Sequence, residues 1–314
     1  LMRYTLKDYQ VDAVRNVLGN LEDARLLYSR GRTSQFSLSA TTGAGKTVMA
    51  AAVIEALFFG SDEFDFPADP GAVVLWLSDD PSLNQQSLNR IFSAAPDLGS
   101  RLRIIDTSLA VPELERHQVY FLNTQKLSKT SRLVRGANLE DEQDTLMARP
   151  DNIQSSFYDV LTNTIQNPNR TLYLILDEAH RGMQKQRDRA TIVQRLINGQ
   201  GSVPSIPVVF GISATVERFD EAMKGAFGRT ALPSVEVDSA LVQASGLLKD
   251  DIVLSIPAES GTFHTVLLRR AVKKILASEK EWDAYAKMQG SLEPVRPLLV
   301  IQVGDKPSED CLLY

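Results

Sequence analysis

Residues 40–47 read Ala40-Thr41-Thr42-Gly43-Ala44-Gly45-Lys46-Thr47, between an apolar run that ends at Ala40 and a helix-forming run from Val48 to Phe59. Glycines at 43 and 45 let successive backbone N–H groups curl around an anion at a helix N-terminus. A lysine there reaches the outer phosphates, and a threonine hydroxyl ligates Mg²⁺. This is chemistry for ATP and Mg²⁺, with Thr42, Gly43, Ala44, Gly45, Lys46 and Thr47 as the expected contacts. Glycine usually opens the pattern; here Ala40 does, where the strand has not yet turned. A glycine-rich helix cap is the plainer alternative, and the Gly-Lys-Thr ending in strand-loop-helix context weighs against it.

A second constellation, Asp177-Glu178-Ala179-His180, begins 131 residues after Lys46 and ends an apolar run from Thr171 to Leu176. An acid at the tip of a buried strand is placed to hold Mg²⁺ opposite Thr47, which is the role expected of Asp177. Glu178 can orient or deprotonate the water that attacks the γ phosphate, since a general base needs hydrogen-bond reach. Lys46, Asp177, Glu178 and His180 form the expected catalytic group; a helix N-cap by Asp177 is the alternative. Ser213-Ala214-Thr215 closes another apolar run, and the Ser213 and Thr215 hydroxyls can bond His180 and relay nucleotide state, or simply make a turn. Gln10 can pair with the N6 and N7 edge of adenine, or be a surface glutamine.

These residues need strands to carry them. The runs Phe36 to Ala40, Ala72 to Ser78, Arg101 to Asp106, Val119 to Asn123, Thr171 to Leu176 and Pro207 to Ile212 read as buried strands. Helical patterns over Lys7 to Leu18, Lys46 to Phe59, Pro81 to Ala94, Ile153 to Gln166 and Arg187 to Ile197 separate them, which is how a parallel sheet with crossover helices reads. Ser128 to Asn152, polar throughout, reads as a surface insertion. Val235 to Pro257 reads as short strands and turns, His264 to Met288 as a long amphipathic helix, and Leu298 to Val303 as a further strand.

The chain has 314 residues and a net charge of −5, distributed unevenly. Thr47 to Asn89 holds seven acids and no Lys or Arg, so the remainder sums to +2. Two basic clusters, Lys126 with Lys129, Arg132 and Arg135, and Arg181 with Lys185, Arg187, Arg189 and Arg195, leave a polyanionic partner open, although each also reads as a solvated helix face. One cysteine, Cys311, excludes a disulfide framework, and with His117, His180 and His264 leaves too few ligands for a protein metal cage. No apolar run approaches the ~18 residues of a membrane span. A soluble, cytoplasmic protein is expected.

Tyr9-Gln10, Ala40 to Thr47, Asp177 to His180 and Ser213 to Thr215, in that order, resemble motifs Q, I, II and III of superfamily 2 helicases and translocases. Motif Ia then falls around Pro81 and Ser82, and motif Ib at Asn123-Thr124-Gln125-Lys126. Arg181 after Asp-Glu-Ala-His, a DEAH box, resembles the restriction-enzyme translocases more than RNA helicases. Ser245 to Asp250, Lys280 to Trp282 and Arg296 to Val303 are similar to the connector and second-domain start of type III restriction Res subunits. The resemblance implies an α/β fold: a P-loop RecA-like domain with a mostly parallel sheet and helices on both faces. That domain would span residues 1–234, with a connector at 235–292 and the first strand of a second RecA-like domain at 293–314. It implies a nucleic-acid-dependent ATPase moving on duplex DNA in restriction or antiviral defence. Ser82, Thr124, Lys126, Lys129 and Arg132 would be its nucleic-acid contacts. The rest of the second domain, with its arginine finger, and a nuclease or target-recognition domain or subunit would complete it. An RNA helicase, or a RecA-like binding module without turnover, stays open.

Overall fold

The structure, a computed structural model, describes residues 2–106, 109, 111–127, 156–177, 187–199, 203–248, 263–290 and 296–300. Two compact units divide at Asp250 and Asp251.

The first unit is built on one sheet. Its strands are β1 (Thr33–Ser39), β2 (Ala72–Ser78), β3 (Leu102–Ile104), β4 (Val119–Asn123), β5 (Thr171–Asp177), β6 (Val208–Ser213), β7 (Arg229–Ala231) and β8 (Val235–Glu236). They run in the order β3-β4-β2-β5-β6-β1-β7, with β8 also pairing β1, and every pairing is parallel. A parallel sheet needs crossovers over its faces, so its middle strands are covered on both sides and read as continuous apolar runs. β2, β4 and β6 are buried at every residue.

The strand period of two divides the core into two layers. Val74, Trp76, Tyr173, Ile175, Phe210 and Ile212 point to the side covered by α1 (Asp8–Ser29), α2 (Lys46–Phe59) and α3 (Pro81–Ala94). Val73, Leu75, Leu77, Leu172, Leu174, Leu176 and Val209 point to the side covered by α4 (Phe157–Gln166), α5 (Arg187–Asn198) and α6 (Val216–Met223). The α/β fold with helices on both faces is as expected from sequence.

Local chemistry sets the helix starts. Asp80 caps α3 by accepting from the Ser82 N–H at 2.8 Å, with Pro81 in the first turn. Ser156 and Asp159 make a reciprocal capping box at α4, which starts at Phe157. The expected helix start at Ile153 lies outside the described residues.

Several expected bounds shift. α1 runs eleven residues past Leu18, because Leu21 and Ala24 continue its buried face and outweigh the ~1 kcal/mol that Gly19 costs inside a helix. The strand expected over Arg101 to Asp106 is only β3, since a 3₁₀ helix occupies Pro96–Arg101. In the region read as strands and turns, Ser239–Ala244 forms a helix, α7, capped by Asp238. The second unit contains α8 (Phe263–Gln289), one residue longer at each end than expected. Residues 298–300 carry no strand, and 301–303 lie outside the described residues.

Candidate nucleotide-binding site

The expected chemistry gathers on the carboxyl edge of the sheet. β1 ends at Ser39, in register with Ser213 of β6, while Asp177 of β5 is in register with Ile212. The tips of β1 and β5 are therefore two strand spacings apart, about 10 Å. The neighbouring tips belong to β2, followed by Asp79 and Asp80, and to β4, followed by Thr124. Five adjacent strands thus bring the described residues of five of the six expected motifs, all but the Tyr9-Gln10 pair on α1, to one edge, the usual ligand crevice of an open α/β sheet.

The loop from Ala40 to Gly45 is fixed at both ends. The Ala40 N–H donates to Ser213 O at 3.2 Å, and the Ala44 N–H donates to Thr41 O at 3.2 Å. Gly45 caps α2 with φ 81°, in the left-handed region where a side chain is strained. A β-carbon at Gly45 would also come within 2.5 Å of the Gln10 amide nitrogen. Lys46 and Thr47 open α2, and the Val48 and Met49 N–H groups that follow both donate to Gly45 O, at 2.9 and 3.0 Å. The Lys46 ammonium donates to Ala40 O at 2.7 Å and Thr41 O at 3.2 Å. The loop thereby curls around its own lysine.

Helix α1 braces this loop. The Tyr9 hydroxyl and the Gln10 amide both donate to Ala44 O, at 2.8 and 3.0 Å, and the Gln10 carbonyl accepts from the Lys7 N–H at 2.9 Å. Burial raises the Tyr9 phenol above its ordinary value, so it keeps the proton it donates. Gln10 is buried, 5% exposed, which separates it from the surface-glutamine reading.

Asp177 ends β5, and one of its carboxylate oxygens accepts from the Ser87 hydroxyl of α3 at 3.0 Å. Glu178 and His180 lie outside the described residues, as do Lys129, Arg132 and the polar stretch 128–152. The Ser213 hydroxyl donates to Thr215 O within its own turn.

At the expected nucleic-acid edge, Thr124 is 4% exposed and its hydroxyl donates to Asp79 at 2.8 Å. Lys126 donates to Ile105 O at 2.6 Å, and Ser82 donates its hydroxyl to Asp80 at 2.8 Å. Those bonds from Ser82 hold the exposed Asp80 carboxyl below its ordinary value. Of the side chains expected to meet phosphates, Thr124 therefore fastens the β4 tip to the β2 tip, Lys126 bonds the chain just after β3, and Ser82 bonds within the cap of α3.

A parallel sheet of this order, with a Gly-Lys-Thr loop and an acid on its carboxyl edge, defines a RecA-like α/β P-loop domain. The model of the family described as type III restriction enzyme, Res subunit, matches residues 3–218, and the chain belongs to that family, one of superfamily 2 helicase-like motor domains. Among solved structures, the UvsW helicase from bacteriophage T4 is 12% identical, with a TM-score of 0.38 over 74% of this chain and 64% of that one. The helicase MrfA bound to DNA and AMPPNP is 18% identical, with a TM-score of 0.37 over 74% of this chain and 30% of that one. A nuclease-deletion mutant of the Type ISP restriction-modification enzyme LlaGI, in complex with a DNA substrate mimic, is 13% identical, with a TM-score of 0.39 over 91% of this chain and 24% of that one. The chain spans less than two thirds of each of these three. No curated protein sequence matches it. Among the described residues, no helix is long and apolar enough to cross a membrane.

Proposed function

We propose that the chain is the ATP-binding motor domain of a superfamily 2 translocase that couples ATP hydrolysis to movement on duplex DNA, in restriction or phage defence. The observation that carries this reading is the shared sheet edge, with Lys46 and Thr47 at the head of α2 and Asp177 two strands away. Membership of the Res-subunit family supports duplex DNA as the polymer.

In this reading Lys46 and the first N–H groups of α2 hold the β and γ phosphates, and Gln10 selects adenine while bracing the loop. Thr47 and Asp177 would hold Mg²⁺, and their hydroxyl and carboxylate oxygens suit so hard a cation. When bound, Mg²⁺ neutralises charge that develops on the transferred phosphoryl group. Glu178 takes the proton of the attacking water. Ser213 and Thr215, with His180, pass nucleotide state toward Ser82, Thr124, Lys126, Lys129 and Arg132 at the DNA edge. The ATP-binding domain expected over 1–234 also takes in β8 and α7, up to the division at Asp250 and Asp251, with the remainder of 235–292 as connector and 293–314 as the start of a second RecA-like domain. A nuclease or target-recognition partner completes the enzyme.

Steady-state ATP hydrolysis, measured on a protein that includes the second RecA-like domain, alone, with duplex DNA and with RNA, tests the reading. Stimulation by duplex DNA is the expected result. Stimulation by RNA alone would make the protein an RNA helicase, and nucleotide binding without turnover under every condition would make it a binding module.

A further inference from the structure

Helix α3 reaches from the β2 tip to the Asp177 carboxylate along one buried face. Asn84 is 3% exposed and accepts from the Ser78 hydroxyl, at the end of β2, at 2.8 Å. Ser87, one helical turn further on and 6% exposed, donates to an Asp177 oxygen at 3.0 Å. Ahead of both, Asp80 caps the same helix and Asp79 accepts from Thr124. The position of α3 is thus set at the edge where β2 and β4 end, and its effect is felt at the acid that ends β5. Asp177 and Ser87 are 90 residues apart in sequence and meet between a strand and the helix packed on it.

We infer that Ser87 is a positioning residue for Asp177, fixing the rotation of the carboxylate that is proposed to hold Mg²⁺ and tying it to α3. The inference rests on that nucleotide reading and adds the element that orients the metal-binding acid. Rotation of an aspartate carboxylate about its last torsion is broad and has few preferences of its own. A buried hydroxyl donor selects one orientation. Hydrogen-bond partners of metal-binding carboxylates typically change metal affinity by about 10- to 100-fold when removed. Ser87 is suited to the part because it can donate from inside the core without bringing a charge that would compete with the cation. Because Asn84 fastens the same helix to β2, a displacement at the Asp79–Thr124 edge moves the Ser87 hydroxyl with it, so the polymer edge and the metal acid share one rigid lever.

The experiment uses the full chain, a fluorescent ATP analogue and MgCl₂. Nucleotide affinity is measured first in EDTA, then across an Mg²⁺ titration, for the unsubstituted chain, Ser87→Ala and Ser87→Thr, with a thermal melt of each. Ser87→Ala should keep its EDTA affinity and shift the Mg²⁺ midpoint upward by about 10- to 100-fold. Ser87→Thr, which retains the hydroxyl, should restore the midpoint to within a few-fold. A merely structural serine would lower the melting temperature without separating the two affinities. An unchanged Mg²⁺ midpoint in Ser87→Ala, beside a normal response in the unsubstituted chain, would overturn this inference alone. Absence of any Mg²⁺ response in the unsubstituted chain would remove the nucleotide reading and the inference with it.

Discussion

Lys46 shows how much one side chain can be asked to do. Its ammonium is held by the Ala40 and Thr41 carbonyls, inside the loop that would receive phosphates. Exchanging two carbonyls for charged phosphate oxygens strengthens each bond, and a hydrogen bond to a charged group is worth about 1.5–3 kcal/mol. Lys46→Ala should therefore weaken ATP binding by about 10- to 100-fold in a fluorescence titration; unaltered affinity would end the phosphate-loop assignment. Glu178→Gln should bind ATP and Mg²⁺ normally yet turn over about 10²- to 10⁴-fold more slowly, because an amide keeps the shape and loses the basicity. Near-normal turnover would assign the water to another group. The phosphate loop was legible because its residues must be neighbours in sequence to form one turn. Gln10 was less so: its polar edge suggested adenine, whereas its buried amide lies against Ala44. Ser87 gave no signal at all, since a serine on a mostly polar helix looks solvated until β5 is placed beside it.

At the scale of elements, the sheet is legible in the sequence where strands are long and apolar, and is not where pairing alone makes them. β2, β4, β5 and β6 keep the expected positions to within a residue or two, because full burial on both faces leaves an unbroken apolar run. β7 and β8 have three and two residues, too few for any period, and exist because the edge of β1 accepts them. α6 was not foreseen either; its buried residues are only Phe219, Ala222 and Met223. Yet α6 fixes the residue opposite it. A β-carbon at Gly211, in the middle of β6, would overlap the Phe219 ring, so Gly211 is required by space. Gly211→Ala should cost about 1–3 kcal/mol, the usual penalty of an overfilled core, visible as a lower urea midpoint with an unchanged slope. Adding Phe219→Leu should recover part of that loss. If the midpoint does not move in Gly211→Ala, α6 does not pack on β6 as described.

The molecule as a whole separates its chemistry from a buried polar knot at the other end of the sheet. Asp69 precedes β2 and is 5% exposed; its carboxylate accepts from the Tyr173 hydroxyl at 2.7 Å and the Gly71 N–H at 2.9 Å, with Arg25 at 3.8 Å. Its carbonyl lies 2.9 Å from a His117 ring nitrogen. Burial first, and then the Asp69 charge, push the Tyr173 phenol well above its ordinary value of 10.0. The folded protein therefore holds that proton at pH values where the unfolded chain has lost it. Because the unfolded state then binds fewer protons, stability is intact below about pH 10 and falls above it, by at most ~1.4 kcal/mol per pH unit for this one group. Tyr120, buried, and Tyr28 and Tyr158, half-buried, are also raised and add to the fall. Arg229, which burial pushes down to about 10, works the other way. Tyr173→Phe isolates one contribution from the rest. It should lower stability near neutral pH by about 1–3 kcal/mol, since Asp69 loses a buried partner. It should also flatten the decline between pH 10 and 11.5, so that variant and parent converge as the pH rises. Urea unfolding across that range measures both. Parallel curves would mean that the Tyr173 proton is not held by the fold. Nucleotide affinity, set at the opposite edge, should not change in the variant.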